Sequence, residues 1–122
     1  MSGRDVSVLI PCFNSGKFIA RALRSILYQS LGRDQYEIIV INDGSTDKTK
    51  SILSEFMLNN RRLIDNMVQE KRGYTGATIS GIKVADSKYI LCIDSDGQCD
   101  FKKIIEFWKY RKNYDSINAY RI

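Results

Sequence analysis

The stretch YILCIDSDGQCD, residues 89–100, carries an apolar run straight into Asp94, Asp96 and Asp100. Burying ionised carboxylates is costly unless cations or hydrogen-bond donors meet them, so the stretch calls for a partner. In an extended segment residues i and i+2 project to one side, which predicts that Asp94 and Asp96 face a common ligand while Ser95 turns away. Hard oxygen donors suit Mg2+ or Mn2+, and Mg2+ typically takes one or two carboxylates together with phosphate oxygens and water. A metal–diphosphate site on Asp94 and Asp96 is therefore the expectation. The competing reading, turn-forming and helix-capping aspartates, is preferred for Asp100, which stands where the next helix needs an N-cap.

Three further clusters could act with that pair. In VINDGSTD, residues 40–47, Asp43 closes an apolar run and Gly44 permits a sharp turn. In PCFN, residues 11–14, Phe13 can stack on a flat ligand such as a base or pack beneath a helix, and alone the latter is commoner. In EKRGYTGATISGIK, residues 70–83, Gly73 and Gly76 can let the backbone approach a phosphate, with Lys71 or Arg72 adding charge. Gly81 in a helix interior costs about 1 kcal/mol relative to alanine, which points to close helix–sheet packing. GATISGIK has P-loop glycine spacing but isoleucine in place of the lysine, and no GxGxxG occurs.

These clusters all follow candidate strands. VSVLI (6–10), EIIVI (37–41), NMVQE (66–70), YILCI (89–93) and SINAYRI (116–122) alternate with four helical patterns. The helices are marked by Ile19, Leu23, Ile26 and Leu27; by Ile52, Leu53, Phe56 and Met57; by residues 75–86; and by Ile104, Ile105, Phe107 and Trp108. Asn14 or Ser15, Thr46, Thr75 and Asp100 are the expected N-caps, and Pro11 is expected to terminate the first strand. The second and fourth runs are continuous rather than alternating, as in parallel strands covered on both faces. The alternation predicts an α/β fold with a mostly parallel sheet between helical layers, whose ligands bind beyond the carboxyl ends of the strands.

Composition narrows the chemistry. With 122 residues and 43% hydrophobic content, a single domain with a real core is expected over 1–122. Histidine is absent, which excludes Ser-His-Asp and Cys-His catalysis and most zinc sites. Cys12, Cys92 and Cys99 form no CxxC pair, and a reducing, cytoplasmic setting is expected. No leader pattern opens the chain and no apolar run reaches membrane-spanning length. A net charge of +5 favours an anionic partner. Lys17, Arg21 and Arg24 share a helical face, ordinarily a solvated one, that can also lean on an anionic membrane.

In order and separation, VSVLIPCFN, IIVINDGSTDKT, GYTGATISGIKVA and YILCIDSDGQ resemble the motifs of family 2 glycosyltransferases of GT-A fold. The DSDGQ and the final AYR look most like dolichyl- or polyprenyl-phosphate sugar transferases and bacterial polysaccharide transferases. The resemblance implies a three-layer α/β/α, Rossmann-like nucleotide-binding half, with the acceptor-binding half and its general base lying outside this chain. It implies an inverting, metal-assisted hexosyltransferase acting on a nucleoside-diphosphate sugar, a UDP-sugar or GDP-mannose, with a polysaccharide or polyprenyl-phosphate acceptor. By resemblance Pro11 and Phe13 border the base, Asp43 accepts a hydrogen bond from it, Gly73 lies near the nucleotide, and Asp94 lies near the ribose or the metal. Asp96, with Asp94, would hold Mg2+ or Mn2+.

The rivals are a non-catalytic nucleotide-sugar-binding module and a phosphatase of the haloacid dehalogenase class. ILCIDSDGQ resembles the strand and DxDG of the latter, but Gln98 replaces its threonine and the motif falls late in the chain. Nucleic acid is not expected, because the aspartate-lined edge repels phosphate in the absence of a metal. Peripheral contact at the inner face of a membrane and homodimerisation through the edge left for the acceptor half are further expectations.

Overall fold

The computed structural model describes residues 3–29, 31–60, 64–96 and 101–117, with backbone only at 101–103. The elements run β1 (Val6–Cys12), α1 (Ile19–Leu27), β2 (Tyr36–Asp43), α2 (Thr49–Asn59), β3 (Ile64–Gln69), α3 (Gly73–Val84), β4 (Tyr89–Cys92) and α4 (Phe101–Lys109). Every strand pairing is parallel and the sheet order is β3-β2-β1-β4. The alternation expected from sequence is present up to α4. Residues 116 and 117 are not in a strand, and 118–122, where the fifth strand was expected, lie outside the described residues. Asp100, the expected cap of α4, also lies outside them.

The pleat sorts the core into two layers. Val8, Ile10, Ile38 and Val40 point to one face, where Ile19, Leu23 and Ile26 of α1, Leu53 of α2, and Ile104 and Trp108 of α4 cover them. Leu9, Ile39 and Ile41 point to the other, against Ala77 of α3. Strands buried on both faces need no polar alternation, which is why EIIVI is continuous. The same inference fails for YILCI. β4 is an edge strand whose residues alternate between half-buried and exposed, because α3 lies over β1 and β2 and leaves Ile90 and Cys92 uncovered.

Pro11 does not end β1, which continues to Cys12 with Pro11 opposite Ile41. It ends β4 instead. The last ladder bond runs from the Ile93 N–H to the Leu9 carbonyl at 3.0 Å. The next bond of a parallel ladder would come from the N–H of residue 11, which proline lacks. β1 and β4 therefore part company here, and a crevice opens between their carboxyl ends.

The helix starts also differ from expectation. The N-cap position of α1 is Phe18, whose N–H, like that of Ile19, donates to the Ser15 carbonyl rather than to a side chain. Thr46 does not cap α2, which starts three residues later with Lys48 at its N-cap position; the Thr46 N–H donates to Asn14 Oδ1 at 2.8 Å, and the Asp47 carboxylate takes the Thr49 N–H at 2.9 Å. Thr75 lies inside α3, which begins two residues earlier. The cap of α3 comes from the end of β2: Asp43 Oδ1 accepts the Arg72 N–H at 2.8 Å and Oδ2 the Gly73 N–H at 2.9 Å. Gly73, at φ +81°, supplies the left-handed turn that aims both donors at the carboxylate.

Gly81 is where α3 touches the sheet. A Cβ there would stand 2.8 Å from Ile41 Cδ1 and 3.2 Å from Leu9 Cδ1, two fully buried side chains with nowhere to move. Gly81→Ala is expected to lower stability by about 1 kcal/mol, the overpacking cost of about 1–3 kcal/mol exceeding the helix-propensity gain of about 1 kcal/mol. A fall in the urea midpoint at unchanged slope is the check.

Burial opposes ionisation of Asp43, but the bonds from Gln69, Arg72 and Gly73 and the nearby charge of Lys71 outweigh it and hold the carboxyl below its usual range. The unfolded chain therefore takes up this proton first. The stability that the carboxylate contributes is complete above about pH 4 and is lost as pH falls through the lower folded value. Asp43→Asn is expected to flatten this part of the acid-unfolding profile and to cost about 1–2 kcal/mol at neutral pH. An unchanged urea midpoint would contradict the capping role.

Candidate functional site

A cavity of about 300 Å³ occupies the crevice at the carboxyl ends of β1, β2 and β4. All six residues nominated from the sequence line it: Pro11 and Phe13 after β1, Asp43 at the end of β2, Gly73 at the start of α3, and Asp94 and Asp96 after β4. In an open α/β sheet of order 3-2-1-4 this is where the strand order reverses, the usual ligand crevice.

The Phe13 side of the cavity is built by two loops tied together. Asn14, at φ +49°, donates its N–H to Ser45 Oγ and accepts the Thr46 N–H on Oδ1, at 3.0 and 2.8 Å. Asp47 Oδ2 takes the Gly16 N–H at 3.0 Å. Its hydrogen bonds, led by the Thr49 hydroxyl, outweigh burial and hold the Asp47 carboxyl low, so this group is a loop brace. Phe13 is left 41% exposed, which sets aside the core-packing reading of its ring. Lys71 Nζ lies 4.1 Å from the ring centroid, within cation–π range.

Asp43 is only 3% exposed and stays ionised among its donors. Oδ1 accepts from both Gln69 Nε2 and the Arg72 N–H, whereas Oδ2 takes the Gly73 N–H and retains acceptor capacity. Beside it, Cys12 lines the cavity with its thiol pushed up to about 12 by burial and then by the charges of Asp47 and Asp43. A thiol held that high is a poor nucleophile at neutral pH.

Asp94 and Asp96 share the cavity, but Ser95 does not turn away. Residues 95 and 96 form a turn rather than continuing the strand, so strict alternation no longer holds. Ser95 Oγ bonds Ser15 Oγ at 2.6 Å, and the Asp96 carbonyl accepts from Arg21 Nη2 at 2.8 Å. The Tyr74 hydroxyl hydrogen-bonds Asp94, and burial together with that carboxylate pushes its pKa up. The acidic turn is thus held from the α1 side and from the first turn of α3. Tyr74, Ser95 and Arg21 escaped the sequence reading. Arg21 passed for a solvated surface cation, and nothing in the spacing of Tyr74 pointed across the crevice.

Two carboxylates at one rim are a sufficient protein share for Mg2+ or Mn2+ when phosphate oxygens and water complete the shell. Among the described residues no group of three or more acidic, cysteine or histidine side chains is arranged to hold a metal ion. Of the charged residues lining the cavity, Asp43, Asp94 and Asp96 are acidic and Lys71 is basic. No helix among the described residues is long and apolar enough to cross a membrane.

A family model described as "Glycosyl transferase family 2" matches residues 7–121. Poly-beta-1,6-N-acetyl-D-glucosamine synthase of Staphylococcus epidermidis is 38% identical over 96 residues, which are 78% of this chain and 22% of that protein. The crystal structure of S. aureus TarS 1-349 in complex with UDP matches with a TM-score of 0.73 at 26% identity, covering 88% of this chain and 33% of that one. The mannosyltransferase PcManGT of Pyrobaculum calidifontis, in complex with GDP-Man and Mn2+, matches with a TM-score of 0.71 at 27% identity, covering 75% of this chain and 27% of that one. The four-stranded parallel sheet and its helical layers are the fold of these GT-A neighbours, although the chain spans a third or less of each relative's length. With nearly every residue inside the matched span, the chain belongs to glycosyl transferase family 2.

Proposed function

We propose that this domain binds the nucleoside-diphosphate sugar of an inverting, metal-assisted glycosyltransferase. The observation that carries the reading is the convergence of Phe13, Asp43, Gly73, Asp94 and Asp96, drawn from four separate segments, on one crevice. Phe13 offers a ring to the base, and the free acceptor capacity of Asp43 Oδ2 suits a ring N–H of uracil or guanine. Gly73, with no side chain and open space around it, lets the diphosphate approach the start of α3. Asp94 serves the ribose and, with Asp96, holds Mg2+ or Mn2+.

When bound, the ion supplies Lewis acidity that neutralises charge building on the departing diphosphate. The chain's own contribution is to orient the donor so that its anomeric carbon is open to an acceptor hydroxyl or lipid phosphate. That nucleophile bonds to the carbon as the glycosidic electron pair leaves with the nucleoside diphosphate, inverting the centre. None of the lining side chains is assigned as the general base. A neighbour crystallised with UDP and another with GDP-Man and Mn2+ support this donor class and this metal.

Calorimetry with UDP-sugars and GDP-mannose, with and without Mn2+, tests the reading. Metal-dependent binding is expected in the wild type, with at least a tenfold loss in Asp96→Ala and in Asp94→Ala. Phe13→Ala is expected to weaken binding by about 1–3 kcal/mol, the worth of a base–aromatic stack, whether or not metal is present. Equal affinity of wild type and Asp96→Ala in Mn2+ would overturn the metal assignment, and hydrolysis of a phosphomonoester through Asp94 would favour the phosphatase instead.

A further inference from the structure

The cavity wall holds one arrangement that the donor reading does not use. Among the described residues lining the cavity Lys71 is the one cation, and its ammonium sits over the ring of Phe13, 4.1 Å from the centroid. Its backbone is fixed. The Lys71 N–H flanks Gly44, where a Cβ would stand 3.2 Å from the Lys71 nitrogen, and Gly44 at φ +76° keeps that approach open. The next two N–H groups, of Arg72 and Gly73, are held by Asp43. The flexible four-carbon stem is thus hung from a rigid anchor between the ring and the acidic floor.

A base stacking on that ring face and an ammonium resting on it compete for the same π surface. The diphosphate that accompanies the base brings more negative charge into a cavity already lined by Asp43, Asp94 and Asp96. Resting on the donor-binding reading, the geometry points to Lys71 as a cation held over Phe13 in the empty site and exchanged onto the donor diphosphate when the base takes its place. The exchange conserves a partner for the ammonium at each stage. It ties affinity to the simultaneous presence of base and phosphate, so Lys71 is a specificity-determining residue for nucleoside diphosphates over nucleosides.

The test compares Lys71→Met, Lys71→Arg and wild type by calorimetry against UDP and uridine, and GDP and guanosine, in Mn2+ at two ionic strengths. Lys71→Met is expected to bind the nucleoside diphosphate about tenfold more weakly and with less salt dependence, while nucleoside affinity is unchanged or improves because no cation must leave the ring. Lys71→Arg should restore diphosphate affinity to within about threefold. An equal loss for nucleoside and nucleoside diphosphate, or no loss for either, overturns the exchange and leaves the donor site standing. A folded wild type that binds none of the four ligands overturns the donor site, and the exchange with it.

Discussion

The arrangement depends above all on one carboxylate. Asp43 ends a buried strand, accepts three hydrogen bonds, and satisfies the first donors of α3 from outside that helix. A helix start leaves N–H groups without partners, and a negative charge there is favoured by the helix dipole. The same contact fixes where α3 begins, hence where Gly73, Tyr74 and Lys71 stand around the crevice. One ionised side chain thus links the β2 end, the β3–α3 connection and the cavity.

The acidic rim has the opposite character. It lies just past a four-residue edge strand rather than inside the sheet, and its order comes from side-chain ties: Ser15 to Ser95, Arg21 to the Asp96 carbonyl and Tyr74 to Asp94. The rigid wall is suited to presenting a fixed acceptor and a stacking ring. The tethered rim would let its carboxylates settle around a cation if the proposed donor brings one.

Much of this was legible in the residues. Continuous β-branched runs separated by helical spacing announced the parallel sheet, and the polar clusters that follow the strands announced the edge where the cavity lies. Gly81 was read for its packing role because glycine inside a helix needs a reason. What could not be read were contacts between segments far apart in sequence. Asp43 reaching across 30 residues to Gly73 replaces the local cap that Thr75 seemed to offer, and Arg21 reaching 75 residues to Asp96 turns a surface cation into a brace. The exposure of β4 was missed for a different reason: an apolar run records what a strand can bury, not whether a helix of this chain lies over it.

Pro11 sits beside the crevice as the residue that cannot complete the ladder to Ile93. Sheets tend to zip onward until some group refuses, and here the refusal is covalent. Were residue 11 able to donate, the segment carrying Asp94 could be drawn flat against β1 and the gap between the two strands sealed. An imino ring, with no hydrogen to give, works as a permanent wedge in the seam.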